Sequence, residues 1–469
     1  MPTLNKKQDW AVAPYNVEQI NNHYLVTNFF GSWDFLTRDE FKKLELLRLE
    51  ETSLLFNRLY ERGLILKDGN IAKAITEFRN LQSHLFMDTS LHIAVVTTRC
   101  NISCRYCQAR SHNPSDMSYE VASKIIKYLF DVRTQNIHLE FQGGEPLLNW
   151  ELVKFLIENV RKFNKTIQSL NIGMVTNGVL LDESKINFLI DNNVEICISL
   201  DGPKKIHNCN RVYNNGKGSY MEVIQAINRT RNVYNKRKIH NRPMNLLPTI
   251  NKNSLSYAEE IIDEYVKRGA EQIALRPINN IGAAKDVWGK IGYSAEEFNN
   301  FWSEAMDYIL ALNLRGVNIK ERIATVMLKK ILNKENPGYV DLMNPCGAGR
   351  SVLTYMPNGD IYPCDEARMS ESDMFKLGNV LKNEYEEIMK SPGLFSLCQS
   401  SLLDIWNYNC AYLPWMGTCP VINYLSQGNI VPKITQSELY KIHHFQFSYI
   451  FKKMLEDNKN RIIFERWVK

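Results

Sequence analysis

No stretch of this 469-residue chain holds an apolar run long enough to span a bilayer, so a helical membrane protein is excluded. The opening residues, Met1-Pro-Thr-Leu-Asn-Lys-Lys-Gln-Asp-Trp10, lack the apolar core of a secretory signal, and a cytoplasmic protein is expected. No repeat recurs at a fixed period and no low-complexity tract is present, which excludes solenoids and fibrous chains. Charge of one sign is scarce as well. The net charge is only +6, and Lys and Arg are spread along the chain. The densest basic stretch holds Arg229, Arg231, Lys236, Arg237, Lys238 and Arg242, and it reads as a solvated helix end. Neither a nucleic acid nor a membrane is expected as a partner. Cysteine is not abundant, but 10 cysteines in a chain expected in the cytoplasm point to metal or redox chemistry before disulfides.

Three of those cysteines organise the rest. Cys100-Asn-Ile-Ser-Cys104-Arg-Tyr-Cys107 follows an apolar run, Ile93 to Thr98, that reads as a strand. The gaps form a tight loop whose thiolates converge on one point. Three thiolates are one short of a closed four-cysteine site, so an iron–sulfur cluster held there keeps one iron open for an outside ligand. A zinc site is the competing reading; it needs a fourth ligand, for which His112 is the nearest candidate.

The chain around this loop divides into four parts. Residues 1–85 form a small α+β unit. Its strand candidate is His23 to Thr27, Thr37-Arg-Asp-Glu40 is a capping-box pattern, and Ser53 opens a second helix that Gly63 ends. Leu64-Ile-Leu66 with a turn at Lys67-Asp-Gly-Asn70 is a candidate wing, and Ile71 to Leu85 a connecting helix. Residues 86–335 alternate strand, loop and helix. Strands are expected at 93–98, 137–141, 172–176, 194–200, 246–250 and 273–275, with capping boxes at Ser256-Tyr-Ala-Glu259 and Ser294-Ala-Glu-Glu297. Six βα units imply an open, partial (β/α)6 barrel of TIM type, an α/β fold whose chemistry sits at the carboxyl ends of its strands. Residues 336–435 are rich in Cys, Gly, Pro and Asn, which suits a loop-rich region held by metal. Residues 436–469 close the chain with an amphipathic helix.

Motifs follow the expected strand ends. Gln142-Gly-Gly-Glu-Pro146 comes after the second strand, and its glycines allow close backbone approach. Thr176 and Asn177 end the third strand; Ser199 and Asp201 end the fourth, with Arg211 shortly after. A turn-and-cap role competes with ligand contact for Thr176, Asn177 and Arg211. Cys197, inside the fourth strand, reads as a buried inert thiol, and Cys209 has no partner spacing. Further on lie Cys346, Gly359-Asp-Ile-Tyr-Pro-Cys364, Cys398, Cys410 and Gly417-Thr-Cys419-Pro.

The cysteine triplet with Tyr106 before its last member, together with Gly143-Gly144-Glu145-Pro146, resembles the radical S-adenosylmethionine (SAM) enzymes. The resemblance implies a [4Fe–4S] cluster on Cys100, Cys104 and Cys107, whose open iron chelates SAM. Reductive cleavage of SAM then leaves a 5′-deoxyadenosyl radical that abstracts hydrogen. It also implies that Gly143, Gly144, Glu145 and Pro146 meet the methionine amino group, that Ser199 and Asp201 reach the ribose, and that Thr176, Asn177 and Arg211 lie around the same ligand.

Residues 346–419 resemble the SPASM extension, with Cys346, Cys364, Cys398, Cys410 and Cys419 as candidate ligands of one auxiliary iron–sulfur cluster; zinc and an empty structural remnant are the alternatives. Leu413, Met416 and Tyr440 stand where that extension has further cysteines. Asp365 matches an aspartate that accepts a proton in sulfatase-maturing relatives; a cap or a hydrogen bond to the cysteine loop is the alternative. The first unit resembles, weakly, winged-helix elements that bind leader peptides; a packing extension of the main domain is the equal alternative. Longer runs, among them Ser90 to Cys100, Glu140 to Asn149, Tyr339-Val-Asp-Leu342 and Tyr362 to Arg368, resemble the B-type maturases of His-Xaa-Ser peptide systems. That implies a ribosomal precursor peptide as substrate, a reductant such as flavodoxin or ferredoxin, and a second radical maturase as possible companion. A formylglycine-generating sulfatase-type maturase and a non-catalytic partner-binding subunit are the rival readings.

Overall fold

The computed structural model describes residues 9–164, 169–239, 242–370, 372–400 and 409–469. Short strands β1 (Trp10–Val12) and β5 (Ile65–Lys67) pair antiparallel, and β2 (Tyr15–Ile20), β3 (His23–Asn28) and β4 (Trp33–Thr37) form an antiparallel meander. The expected caps are present. Thr37 and Glu40 cap helix Arg38–Glu45 reciprocally, Ser53 accepts from Phe56 N–H, and Gly63 closes the second helix in the left-handed region. The wing turn is not. Lys67-Asp-Gly-Asn70 starts a helix, Asp68–Leu81, because the Asn70 side chain takes the Lys67 N–H at 3.0 Å and donates to Ile65 O at 2.8 Å.

The main sheet is built on β6 (Leu91–Thr97), β7 (Asn136–Gly143), β8 (Ser169–Thr176), β9 (Val194–Ser199) and β10 (Asn245–Leu247), all parallel and in chain order. Strand β6 is buried on both faces, as its unbroken apolar run requires. Helices 119–131, 150–163, 183–191, 220–236 and 258–267 each bury an apolar stripe. The sixth strand, β11 (Gln272–Ile273), pairs with β12 (Lys320–Glu321) and meets the main sheet through a parallel bridge, Ile250 to Pro277. The barrel is therefore open. Ser294 and Glu297 form their capping box, whereas Ser256 and Glu259 do not. A tight turn at Lys252–Ser254 runs into the latter helix and leaves Tyr257 at the cap.

The cysteine-rich region continues the barrel sheet. Strand β13 (Val352–Tyr355) pairs parallel with β6, and β14 (Asp360–Tyr362) and β15 (Gly378–Asn379) follow antiparallel. Residues 436–469 hold two helices, Glu438–Glu456 and Asn458–Trp467. The first packs Phe447 and Phe451 against Tyr412 and Trp415, and Trp33 of the first unit meets Phe451 edge-on. Asn16 and Thr27 donate to the carbonyls of Cys410 and Ala411, which anchors the N-terminal meander on this core.

One ammonium stitches these parts together. Buried Lys330, in a π turn that extends helix Arg322–Leu328, donates to Leu342 O and to Trp415 O. Burial pulls its pKa down to about 7 from the lysine range. The unfolded chain therefore binds the extra proton between pH 7 and 10, and the contribution of Lys330 to stability must rise with pH over that window. Urea titrations at pH 7 and pH 9 will show the stability difference between wild type and Lys330→Met moving in favour of the wild type by on the order of 2 kcal/mol, because the raised pKa values of the buried thiols are common to both proteins.

Candidate active site

The carboxyl ends of the barrel strands open on a cavity of about 1180 Å³. Cys100, Cys104 and Cys107 lie on its wall, with Gly143, Gly144, Asn177, Ser199 and Arg211 beside them. The glycines explain how the cysteine loop is held. A Cβ on Gly143 would sit 2.1 Å from Thr97 O, and one on Gly144 2.1 Å from Arg99 O. Gly144 N–H donates to Thr97 O at 2.9 Å and Glu145 N–H to Arg99 O at 2.8 Å. The loop after β7 is thus zipped, backbone to backbone, onto the first residues of the cysteine loop. The missing side chains make room for protein backbone.

Glu145 and Asp201 are buried behind this wall. Glu145 accepts from Thr176 Oγ1 at 2.7 Å, Asn177 N–H at 2.8 Å and Leu147 N–H at 3.1 Å, so it ties the end of β7 to that of β8. Burial raises its pKa against those hydrogen bonds. Pro146 is buried beside it. Asp201 accepts from the Tyr106 hydroxyl at 2.7 Å, Arg211 Nε at 3.0 Å and Thr249 N–H at 3.1 Å. Arg211 in turn lies over the Tyr106 ring and brings Nη1 to 4.0 Å from Cys104 Sγ. Asn177 Nδ2 is 3.9 Å from Cys100 Sγ. Two donors therefore face two of the three thiols, and Ser199 lines the cavity one strand away.

Burial pushes the Cys100 thiol up to about 11 and Cys104 up to about 12, and neighbouring thiols add to both shifts. Bound metal reverses that preference, because coordination strips the thiol proton. Among the described residues no three His, Cys, Asp or Glu side chains converge tightly enough for one metal ion. An iron–sulfur cubane, being wider than an ion, needs its thiolates further apart, and the donor set of three neighbouring sulfurs beside a cavity fits it.

A second thiol group forms on the far side. Cys346, Cys364 and Cys419 share one apolar cluster with Ala348, Leu397 and Val421, and Cys398 Sγ lies 3.9 Å from Ala348 O. Burial pushes Cys346 up to about 12 and Cys398 to about 11, and the charge of Cys398 acts on Cys346. Cys364 also lines the cavity. Cys410 is not with them. It packs in the main core, accepts from Tyr412 N–H at 3.4 Å and interacts with Tyr440. The segment carrying it is pulled under the N-terminal meander, as Asn16 and Thr27 require. Leu413 and Met416 are buried core residues of the same segment.

Asp365 lines the cavity, with Oδ1 held by Arg368 Nε at 2.6 Å. Cys197, expected to be buried and inert, is half-buried on the cavity wall, in register with Asn245. Cys209 is half-buried on helix Lys204–Asn210. Sequence reasoning missed one cluster. Arg276 Nη2 pairs with Asp341 at 3.2 Å and Glu366 at 3.5 Å, and its guanidinium lies over Tyr339. Burial and Asp341 push Glu366 up. The signal was present in Tyr339-Val-Asp-Leu342 and in Glu366 itself, within runs singled out only as a resemblance.

The sequence profile of the radical SAM superfamily matches residues 94–273, and that of SPASM, an iron–sulfur cluster-binding domain, matches residues 346–397. This is a radical SAM/SPASM protein. The first match runs from β6 to β11; the second takes in Cys346 and Cys364. The chain is 26% identical over 343 residues to the cysteine-type anaerobic sulfatase-maturating enzyme of Clostridium perfringens strain 13, covering 70% of this chain and 87% of that one. It is 25% identical over 296 residues to the mycofactocin maturase MftC of Mycolicibacterium smegmatis, covering 61% and 66%. Among solved structures, anSMEcpe with bound AdoMet and the Cp18Cys peptide superposes with a TM-score of 0.67 at 23% identity, covering 80% of this chain and 99% of that one. Streptococcus suis SuiB bound to its precursor peptide SuiA gives 0.55 at 15%, covering 90% and 98%. Both share the fold of this radical SAM/SPASM chain.

Two substitutions test the geometry. Gly144→Ala will cost about 1–3 kcal/mol in chemical denaturation and lower the iron retained after reconstitution, since its Cβ meets backbone that cannot yield. Asp201→Asn will cost about 3–5 kcal/mol in the same assay, because it strands the buried Arg211 charge.

Proposed function

We propose that this protein is a peptide-modifying radical SAM enzyme. One observation carries the reading: the Cys100/Cys104/Cys107 loop, zipped onto Gly143-Gly144-Glu145, faces a cavity large enough for a cofactor and a peptide side chain. When bound, a [4Fe–4S] cluster with SAM supplies one-electron chemistry and a radical that abstracts hydrogen. The protein's own residues bind and orient. Cys100, Cys104 and Cys107 hold the cluster. The backbone at Gly143 and Gly144, with Asn177 and Ser199, shapes the SAM pocket, and Glu145 and Asp201 fix the groups that line it. Asp201 keeps Arg211 charged and aimed beside Cys104. Tyr106 completes that buried triad. Asp365 is the proposed proton acceptor, and its hydrogen bond from Arg368 fixes its orientation.

Cys346, Cys364, Cys398 and Cys419 are the proposed ligands of one auxiliary iron–sulfur cluster, which would supply a one-electron acceptor beside the cavity. Cys410 is left out of that set. The N-terminal unit is the proposed recognition element for a ribosomal precursor peptide. Its meander keeps two edges, β2 and β4, and an edge strand is a ready template for an extended peptide. A reducing cytoplasm is the proposed location, on the ground that all ten cysteines are free. A second maturase as companion belongs to the same proposal.

The sulfatase-maturating relatives favour a second reading, oxidation of Cys or Ser to formylglycine. Mass spectrometry of a reconstituted reaction separates the two. A crosslinked or desaturated peptide supports the first; a product that couples to a hydrazide supports the second. A non-catalytic subunit would make no 5′-deoxyadenosine at all. Iron counts test the ligand sets. We expect about eight irons per wild-type chain, about four after Cys100/Cys104/Cys107→Ala or after Cys346/Cys364/Cys398/Cys419→Ala, and about eight in Cys410→Ser.

A further inference from the structure

The cavity does not stop at the carboxyl ends of the strands. It runs down the barrel to Leu91, His138 and Gly173, several residues below the cysteine loop. A packed barrel of parallel strands fills that space with branched apolar side chains. Here β7 and β9 line it with charge instead. Glu140, Gly173 and Glu195 lie in register on β7, β8 and β9. Neighbouring strands are about 4.8 Å apart, so the two acidic residues stand roughly 10 Å apart across a strand that shows no side chain. This row lies roughly 10 Å along β7 from Gly143, at the strand rise of about 3.3 Å per residue.

The slot over Gly173 is lined for a donor. A Cβ there would sit 2.9 Å from His138 Nε2. That nitrogen is buried, makes no hydrogen bond, and lies 3.8 Å from Glu140 Oε2. Glu140 Oε1 accepts from Gln142 Nε2 at 2.5 Å, leaving Oε2 to face His138. Glu195 is exposed to the cavity, and among the described residues its carboxylate makes no ion pair or hydrogen bond. Acceptors from three positions thus line one slot. The charge balance agrees. Away from the cysteine loop the cavity carries the carboxylates of Glu140, Glu195, Asp341, Asp365 and Glu366 against the guanidiniums of Arg276, Arg322 and Arg368. Arg276 is taken by Asp341 and Glu366, and Arg368 by Asp365. Glu140 and Glu195 then outweigh Arg322.

We propose that this slot seats a positively charged side chain of the substrate peptide, Lys or Arg, between Glu140 and Glu195. The inference rests on the peptide-modifying reading. Two carboxylates that meet one cation inside a cavity discriminate strongly, because a neutral side chain leaves them unpaired. The same contacts lead to the chemistry. Gln142 donates to Glu140 and accepts from Arg368 Nη2 at 3.3 Å, and Arg368 in turn holds Asp365. A cation on Glu140 therefore fixes the far end of the hydrogen-bond chain that orients Asp365. An acidic side chain drawn by Arg322 is the competing occupant, and it would have to face both carboxylates.

The test measures binding of the peptides Gly-Gly-Xaa-Gly-Gly, each carrying a neutral fluorophore, to the reconstituted full chain with SAM, read by fluorescence anisotropy. With Lys or Arg at the central position the wild type will bind about tenfold tighter than with Gln, and the Glu peptide will bind most weakly. The preference will shrink as salt rises from ~20 to ~300 mM. Glu195→Lys, at an exposed position, will keep its iron content and turn the preference toward the Glu peptide. Glu140→Gln/Glu195→Gln will bind the Lys and Gln peptides alike. Equal affinity for the Lys and Gln peptides in the wild type overturns the proposal. So does a wild-type preference for Glu, a failure of every peptide to bind, or a Lys preference that survives in Glu195→Lys. Failure of the peptide-modifying reading shows separately, as iron-loaded, dithionite-reduced wild type that makes no 5′-deoxyadenosine whichever peptide it binds.

Discussion

Two glycines pressed against a neighbouring strand end are the constraint on which the site depends. Gly143 and Gly144 carry no side chain because Thr97 O and Arg99 O occupy that space. The contact costs conformational entropy and gains two backbone hydrogen bonds. Its product is a cysteine loop with a fixed origin. Everything that touches the thiols is then placed relative to a rigid sheet: Asn177 through Glu145, and Arg211 through Asp201. The two buried carboxylates act alike. Each accepts several hydrogen bonds from groups that do reach the wall, so a charge out of sight orders the visible surface.

The second thiol group follows a different logic. Four cysteines from a loop, a strand end and two helices meet in apolar surroundings, where free thiols stay protonated. The segment that carries Cys410 has been absorbed into an aromatic core with Tyr412, Trp415, Phe447 and Phe451. Lys330 spans the junction and holds two carbonyls that would otherwise lack donors. Packing and hydrogen bonding have taken over a region that its cysteine spacing alone would assign to metal.

How much was visible in the sequence depended on the range of the signal. Local signals were read well. The triplet, the caps at Thr37, Ser53 and Ser294, and the alternation of the barrel all depend on residues a few positions apart. The turn at Lys67-Asp-Gly-Asn70 misled because Asp-Gly is a strong turn pair, and only tertiary contacts let Asn70 cap a helix instead. Cys197 kept part of its expectation: burial pushes its thiol up to about 12, but it lines the cavity, a position that period-two alternation cannot show. The Arg276 cluster was half legible. Tyr339, Asp341 and Glu366 lie in runs that the resemblance singled out, but Arg276 lies in another segment, and no composition window sees them together.

The pairing of β13 with β6 carries a consequence for how the chain is made. Ser90 and Ser351, which are hydrogen-bonded at the start of that ladder, are 261 residues apart in sequence. At about 5–20 residues per second the ribosome needs roughly 13 to 50 s to supply the missing neighbour. For that time β6, the most apolar strand of the sheet and the one that leads into the triplet, has an open edge. The nascent protein must wait with its cysteine loop attached to an unfinished sheet. Closing the open edge of the strand that leads into the cysteine loop is thereby a late event in synthesis.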